Sequence, residues 1–244
     1  MPAELAYADL LGRFDADVDA RTKELEVYAG PDTPPPGYTW DTEIAGIDRV
    51  AERAGFDRFH LVGYSAGGAA SLAYALAHPD RLVSLTLSEP AWTGTEGRTP
   101  AEAEATQRPI DAVALPPEEM LPEFIRAQIE DGVEPPPPPE GPPPAWMRSR
   151  PPGTAAMVAA FQPHPYPADA MRAFGRPVLF VLGGRSRHAY YGLMAERLGS
   201  LFPDFSLVSF PERHHFDPPH RAEPERYAEV LEEHWRRAEA LGRD

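Results

Sequence analysis

The amino-acid sequence predicts a mostly parallel, doubly wound α/β sheet with an inserted segment that is proline-rich and partly helical. Strand-like apolar runs alternate with helical patterns in residues 57–90 and again in residues 176–241, and such alternation builds βαβ units with right-handed crossovers. The run "DRFHLVGY" becomes almost continuously apolar at its end, which is typical of a parallel strand covered on both faces. Residues 92–170 break the rhythm. We therefore expect a first core part (1–91), a cap insertion (92–170) and a second core part (171–244).

The first core part is predicted to contain three helices and three strands, and two of each come before the serine motif. "ELAYADLLGRF" has its apolar residues near helical spacing, and "KELEVYAG" alternates apolar and acidic residues as a short strand does. "PDTPPPGYTW" is predicted as a loop because of its proline and glycine content. "TEIAGIDRVAERAG" has Ile44, Ile47 and Val50 on one stripe and ends at Gly55, so we expect a helix before the strand "DRFHLVGY".

A helix in "AGGAASLAYALAHPD" and a strand in "RLVSLTLSEP" complete the first part, and the insertion follows them. It shows two helical patterns, around "PAEAEATQ" and "EEMLPEFIRAQIE". The stretch "EPPPPPEGPPPAWMRSRPPG" is compatible with an exposed polyproline II spacer, with a ligand for a proline-reading domain, or with an ordered cover across the end of the sheet. The adjacent Trp146 and Met147 favour the cover.

The second core part returns to the α/β rhythm. Strands are predicted in "RPVLFVLGG" and "FSLVSFPE", with a helix in "AYYGLMAERLGSLF" between them. The final helix, "EPERYAEVLEEHWRRAEAL", carries Tyr227, Val230, Leu231 and Trp235 on its apolar side.

The composition excludes several classes of function. The 244 residues carry a formal net charge of −15, which repels phosphate backbones and argues against nucleic-acid binding. The absence of cysteine excludes thiolate catalysis and cysteine-ligated metals. No apolar run approaches the length of a membrane span, and the first residues do not resemble a secretory signal. We therefore expect a soluble, cytoplasmic protein.

The motif Gly63-Tyr64-Ser65-Ala66-Gly67 lies between a predicted strand and a predicted helix. In this context G-x-S-x-G forms a strained turn that exposes the serine, and side chains at the two flanking glycines are expected to collide with the turn. The helix that follows directs backbone amides at a developing oxyanion. Ser65 is therefore predicted to be a nucleophile and the Ala66 amide an oxyanion donor; the alternative is a purely structural turn.

With these residues the sequence resembles the α/β-hydrolase superfamily in "FHLVGYSAGGAASLAYALAHPDRLVSLTLSEPA", "RPVLFVLGG" and "HHFDPPHRAEPERYAEVL". The resemblance implies a sheet of the α/β-hydrolase type with a variable cap. It also implies a histidine after the last strand, for which His215 fits best and His214 is the rival. Most members carry an acid after the strand represented by "VLFVLGG", but residues 184–187 contain no carboxylate. A second placement, after the preceding strand, corresponds to Glu89; Asp217 is a weaker candidate.

The start of the chain departs from the family pattern. No His-Gly turn is present to supply a second oxyanion donor, and the strand expected between "LEVYAG" and "FHLVGY" is missing. Either the "LEVYAG" strand moves beside the serine strand, or the chain starts downstream of a longer natural start. We expect an incomplete oxyanion hole and a marginal fold or weak activity; otherwise the second donor comes from elsewhere, such as the loop from Gly30 to Gly37.

The function expected from the resemblance is a serine hydrolase that acts on an ester, amide or related acyl substrate, with Ser65, His215 and Glu89 as the catalytic triad. No metal or organic cofactor is needed. Phe124, Trp146, Met147 and Phe161 in the insertion are compatible with a small-molecule substrate that has an apolar acyl or aromatic part. The alternative is a non-catalytic or weakly active binding protein with an incomplete oxyanion hole.

Overall fold

The computed structural model describes residues 1–30, 32–135, 137, 142 and 144–242. Four parallel strands form one sheet, and their spatial order equals their order in the chain. They are β1 (Phe59–Tyr64), β2 (Leu82–Ser88), β3 (Val178–Gly183) and β4 (Phe205–Phe210). The predicted parallel sheet is confirmed, with all four strands at the predicted places.

Ten α-helices surround the sheet in the described part of the chain. They are α1 (Ala3–Leu11), α2 (Trp40–Ala54), α3 (Ala66–Ala77), α4 (Pro100–Ala112), α5 (Pro117–Arg126), α6 (Arg150–Phe161), α7 (Ala168–Ala173), α8 (Leu193–Leu201), α9 (Pro219–Ala222) and α10 (Pro224–Leu241). One π-helical turn, His188–Gly192, precedes α8. None of the described helices combines the length and apolar composition that a membrane crossing requires.

Both faces of the sheet are covered, and β3 shows this most directly. Val178 and Phe180 belong to an apolar cluster that includes residues of α2, α3 and α8. Leu179 and Val181, which alternate with them, belong to a second cluster built with α1 and α10. Because successive side chains of a strand point to opposite faces, helices pack on both sides, as the sequence predicted.

The prediction of a strand in "KELEVYAG" is wrong. Residues Glu26–Tyr28 form one 3₁₀ turn, and they pair with none of the four strands. The cause is Glu43 of α2, which is fully buried. Its carboxylate accepts the backbone N–H groups of Glu26 (2.9 Å) and Val27 (3.0 Å) and also binds Lys23. The segment is thereby tied to α2, so it does not move beside the serine strand.

β1 is consequently an edge strand in the described sheet. The Ser65 N–H donates to the Ser88 carbonyl on β2 (3.1 Å). Since the peptide groups of successive strand residues face opposite sides, those of Val62 and Tyr64 face away from β2. Within the described residues these outward groups have no hydrogen-bond partner. The strands before the serine are therefore missing from the described sheet, as the sequence suggested.

The segment between β2 and β3 is largely helical and contains α4, α5, α6 and α7. The sequence predicted α4 and α5 but not α6 and α7. Residues 136, 138–141 and 143 of the proline-rich stretch lie outside the described residues, whereas Ala145–Ser149 form a 3₁₀ turn that leads into α6. The domain boundaries at residues 91 and 170 stay a prediction.

Candidate active site

Ser65 lies at the sharp turn from β1 into α3. Its backbone has φ 53° and ψ −124°, a conformation that L-residues rarely adopt and that costs about 1–3 kcal/mol. Hydrogen bonds on both sides hold it there. The Ser65 N–H donates to the Ser88 carbonyl, and the Ser65 carbonyl accepts from Ala69 (3.1 Å) and Ala91 (2.9 Å). The strained turn is therefore fixed by the end of β2 and by the first turn of α3.

The glycines around this turn do not contribute equally. A Cβ on Gly63 would collide with Ser71 Oγ and would lie 2.5 Å from the Gly67 carbonyl oxygen. A Cβ on Gly68 would lie 3.0 Å from Pro90. A Cβ on Gly67 would meet nothing within 4 Å. The expectation that both flanking glycines are crowded is therefore wrong for Gly67; the second crowded position is Gly68, which packs against the loop after β2.

Three predicted site residues form one hydrogen-bonded chain. Ser65 Oγ lies 3.1 Å from His215 Nε2, and His215 Nδ1 lies 3.1 Å from Glu89 Oε2. They come from three separate places in the sequence: the end of β1, the loop after β4 and the residue directly after β2. The carboxyl ends of parallel strands meet at one edge of the sheet, which explains how residues up to 150 positions apart converge.

Glu89 is 4% exposed and is held by more than the histidine. Its Oε1 accepts the backbone N–H of Gly183 at 2.8 Å, so both carboxylate oxygens have a partner. Glu89 also has a positive φ of 43°, and its own N–H donates to the Val181 carbonyl. A buried carboxylate is costly unless it is paired, and these contacts provide the pairing.

The alternative candidates for the base and the acid, His214 and Asp217, make other contacts. His214 Nδ1 accepts the backbone N–H of Phe216 at 3.1 Å, so His214 caps its own loop. Burial lowers its pKa. Asp217 forms an ion pair with Arg213 at 2.5 Å. After β3, at the position where most family members carry the acid, Ser186 is buried and Arg187 binds Asp131 on the surface.

Ala66 is the first residue of α3, and its backbone N–H has no hydrogen-bond partner among the described residues. It is thus free to donate at the turn that carries Ser65. The described residues of the Gly30–Gly37 loop do not line the cavity around Ser65, whereas Leu25 and Tyr28 do. The catalytic roles of Ser65, His215, Glu89 and Ala66 stay predictions.

Two tyrosines next to the histidine were not recognised in the sequence. The ring of Tyr191 stacks on His215 with centroids 4.8 Å apart, and the ring of Tyr64 lies 5.0 Å away. Tyr64 was visible only as a variable position of the serine motif, and Tyr191 only as part of a helical pattern. A possible signal was the Tyr190-Tyr191 pair, because two aromatic residues at the start of a helix are a large apolar feature.

A cavity of about 880 Å³ contains Ser65 and Ala66. Residues of the insertion line it, among them Ile110, Phe124, Met157, Val158 and Phe161, while Trp146 and Met147 do not. The same cavity continues along the outer edge of β1 toward Leu10, Phe14 and Trp235. Its surroundings next to the serine are mainly apolar. No cluster of three or more His, Asp or Glu side chains in the described residues forms a candidate metal site.

Comparison with known proteins identifies related chains. A model of the alpha/beta hydrolase family matches residues 8–230. In a search of curated proteins, 54 residues are 43% identical to RutD of Caulobacter segnis, to which a carbamate hydrolase activity is attributed. That match covers 22% of this chain and 20% of the relative. The chain thus matches about a fifth of that relative's length.

Solved structures show the same fold over nearly the whole chain. A thermophilic esterase from Thermogutta terrifontis superposes with a TM-score of 0.69 at 17% identity, covering 97% of this chain and 86% of that one. An esterase from Exiguobacterium antarcticum gives a TM-score of 0.68 at 19% identity, covering 96% and 88%. A meta-cleavage product hydrolase from Pseudomonas fluorescens IP01 gives 0.62 at 16% identity, covering 97% and 86%. At these identities the likeness shows the fold alone.

Proposed function

This chain belongs to the alpha/beta hydrolase family, and on that premise we propose that it is a serine hydrolase of an ester, amide or related acyl substrate. The observation that carries the proposal is the continuous hydrogen-bonded chain from Ser65 Oγ through His215 to Glu89. A serine hydroxyl becomes a nucleophile when an adjacent base removes its proton and a third group orients that base.

The proposed mechanism gives one role to each of these residues. With Nδ1 protonated, His215 donates to Glu89 Oε2 and its Nε2 accepts the proton of Ser65. The serine oxygen then bonds to the substrate carbonyl carbon, and the carbonyl oxygen becomes negative. The free Ala66 N–H stabilises that charge. His215 gives the proton to the leaving group, which departs and leaves an acyl-enzyme. A water molecule then attacks the acyl carbon while His215 takes its proton, and His215 returns that proton to Ser65 Oγ as the acid product leaves.

The cavity supports the proposed substrate class. Phe124, Met157 and Phe161 lie in the same cavity as Ser65. Apolar walls with a few polar groups are characteristic of small-molecule sites, so we propose a small substrate with an apolar acyl or aromatic part. The esterases among the similar structures and the carbamate hydrolase assignment of the RutD match are compatible with this class. A cytoplasmic location stays part of the proposal.

The test is labelling with a fluorophosphonate probe, which forms a covalent bond with an activated serine, followed by mapping of the modified peptide. We expect the label on Ser65, together with hydrolysis of p-nitrophenyl esters. Ser65→Ala should abolish both. Ser209→Ala is the matched control, because Ser209 is an exposed serine of β4 and should label at the wild-type rate.

Two outcomes would overturn the proposal. Labelling that persists in Ser65→Ala would show that another residue reacts. A folded wild-type protein that neither labels nor hydrolyses any ester would instead favour a binding protein that retains the fold.

A further inference from the structure

The imidazole of His215 packs against two tyrosine rings. Tyr191 is stacked on it, with ring centroids 4.8 Å apart and planes inclined by 13°. Tyr64 is tilted by 33° at 5.0 Å. His215 is only 2% exposed and Tyr191 is fully buried, so little water reaches the stacked pair. The hydrogen bonds to Ser65 and Glu89 involve the two nitrogens at the edge of the imidazole ring. They do not explain the tyrosine contacts with the face of the ring.

Tyr191 is held in this position from both ends. Its hydroxyl donates to Gln128 Oε1 at 2.7 Å, and Gln128 Nε2 donates to the Phe124 carbonyl at 2.8 Å. These contacts fix the far end of the ring to the insertion. The near end lies in the π-helical turn His188–Gly192, where a Cβ on Gly192 would collide with the His188 ring. Single π-helical turns are frequent at functional sites, and here the turn presents the face of Tyr191 to His215.

A phenol ring stacked on a histidine stabilises the protonated form of that histidine. The faces of aromatic rings carry negative potential, and a cation over such a face is stabilised more strongly where water is excluded. Burial raises the pKa of Tyr191 and of Tyr64 well above the ordinary value. Both phenols therefore stay neutral near pH 7, and their hydroxyls stay donors. A flat contact also restricts rotation of the imidazole about its bond to Cβ.

We propose that Tyr191 is a positioning residue of this site: its ring face orients the His215 imidazole toward Ser65 and Glu89 and stabilises the imidazolium. The proposal rests on the proposed function, because the imidazolium forms when the proton of Ser65 Oγ moves to His215 Nε2. That proton then leaves with the departing group, so Tyr191 neither gains nor loses one.

Several titratable or charged groups surround the His215 ring. They are Glu89 after β2, Tyr64 of β1, Tyr191 of the π-helical turn, His214 in the same loop, and His220 and Arg221 of α9. Burial lowers the pKa of His214, and burial lowers that of His220 to about 3. Both shifts favour the neutral imidazole of these two histidines around pH 7.

The experiment compares Tyr191→Phe, Tyr191→Leu and a matched control, Tyr74→Leu. Tyr74 is also a fully buried tyrosine in contact with a histidine ring, that of His78 at 4.8 Å, but it lies in the core away from Ser65. The first readout is the fluorophosphonate labelling rate as a function of pH, with kcat and KM for an ester. The second is the chemical shift and pH titration of the His215 ring protons by NMR, assigned with His215→Gln.

Tyr191→Phe keeps the stacked ring and should stay within about threefold of the wild-type rate. Tyr191→Leu should lower labelling and kcat about 30-fold, the size of a desolvated cation–π contact, with KM little changed. The acid limb of its pH profile should move to lower pH, because the imidazolium loses stabilisation and gives up its proton more readily. The His215 ring protons, shifted upfield by the tyrosine ring current, should move downfield.

The proposal is overturned if Tyr191→Leu loses no more activity than Tyr74→Leu, or if its pH profile and ring-proton shifts match the wild type. It is also overturned if Tyr191→Phe is as impaired as Tyr191→Leu, since the hydroxyl would then be the important group. The NMR titration needs no catalysis. A wild-type protein that fails to label would therefore contradict the proposed function. The ring-proton data would still decide whether Tyr191 orients His215 and stabilises its protonated form.

Discussion

At the scale of single residues, the candidate site is a set of strained positions that the surrounding backbone holds. Ser65 and Glu89 are the described non-glycine residues with positive φ, and each such conformation costs about 1–3 kcal/mol. The two residues are also joined through Ser88. The Ser65 N–H donates to the Ser88 carbonyl, and Glu89 follows Ser88 directly in the sequence. The nucleophile and the carboxylate are therefore positioned by the same pair of strand ends.

The contact between Glu89 and His215 makes Glu89→Gln informative. The amide keeps the size of the side chain but removes the charge that fixes the histidine tautomer. We expect kcat to fall by about 10⁴-fold, by analogy with the loss of the acid in serine proteases, with the fold retained. The measurement is ester hydrolysis together with circular dichroism. Glu212→Gln changes an exposed acid on the same loop as His215, and it should leave kcat unchanged. Near-normal kcat in Glu89→Gln would contradict the assignment.

The unequal glycines of the serine turn give a second prediction. Gly63→Ala places a methyl group against Ser71 and the Gly67 carbonyl, so we expect a marked loss of labelling and a lower melting temperature. Gly67→Ala places its methyl group in open space and adds a better helix former in the first turn of α3, so it should label within a few fold of wild type. Equal effects of the two substitutions would show that the crowding argument is wrong.

The sequence predicted the residues of the hydrogen-bonded chain because each lies at a recognisable junction: a strand-to-helix turn, a strand end, or the loop before the last helix. Glu89 was predicted from an absence, since residues 184–187 contain no carboxylate. The contact of Tyr191 with His215 could not be predicted. It depends on the rotation of a π-helical turn and on Gln128, which is 63 residues away in the chain, and local patterns carry no information about either.

At the scale of elements, a buried ion pair joins the insertion to the core. The Nε–H of Arg197 in α8 is shared between the two carboxylate oxygens of Glu102 in α4, at 2.9 and 3.1 Å, and Arg197 Nη2 donates to Thr93 Oγ1 at 2.7 Å. Both side chains are almost completely buried. Breaking such a pair by removing one partner is expensive, because it leaves an uncompensated charge inside the protein.

We therefore expect Glu102→Gln to lower the free energy of unfolding by about 3–5 kcal/mol, a large part of a typical total of about 5–15 kcal/mol. The measurement is urea unfolding. Glu104→Gln, an exposed acid in the same helix, is the control and should change stability by less than about 0.5 kcal/mol. A stability of Glu102→Gln equal to that of the control would contradict the anchoring role.

The element predictions failed where a different interaction replaced the local pattern. The alternation in "KELEVYAG" favours a strand, but Glu43 captures its backbone N–H groups and makes a 3₁₀ turn. Helix α6 was missed because its start, Arg150-Pro151-Pro152, reads as part of the proline-rich stretch. Proline is well tolerated in the first turn of a helix, where its missing N–H would have no partner, so those prolines begin α6.

At the scale of the whole molecule, two buried histidines make stability depend on pH. Burial lowers the pKa of His220 to about 3 and that of His234 to about 4. Each is neutral in the folded protein near pH 5, whereas the unfolded chain binds a proton with a pKa of about 6.5. The stability that the two neutral histidines contribute is therefore fully present above about pH 6.5. It is lost as the pH falls from 6.5 toward the folded-state pKa values, about 3 for His220 and about 4 for His234.

Lowering the pH from 6.5 to 5 should lower the free energy of unfolding by about 1–2 kcal/mol for each histidine. Chemical denaturation at several pH values measures this slope. His220→Phe keeps a ring against Tyr7 and Tyr64 and should remove about half of it. His188→Gln, a largely exposed histidine, should leave the slope unchanged. A stability that is flat between pH 5 and 6.5 would contradict the neutral, buried state of the two histidines.

The open outer edge of β1 has a consequence for how activity and stability relate. Among the described residues, the strand that carries Ser65 is hydrogen-bonded in the sheet to β2 only, whereas β2 and β3 are bonded on both sides. Segments with fewer such bonds open locally at a lower free energy than the whole fold unfolds. We therefore expect fraying of this one strand to lower the fraction of molecules in which Ser65 lies within hydrogen-bond distance of His215. Melting temperature and turnover of this chain are therefore expected to vary independently of each other.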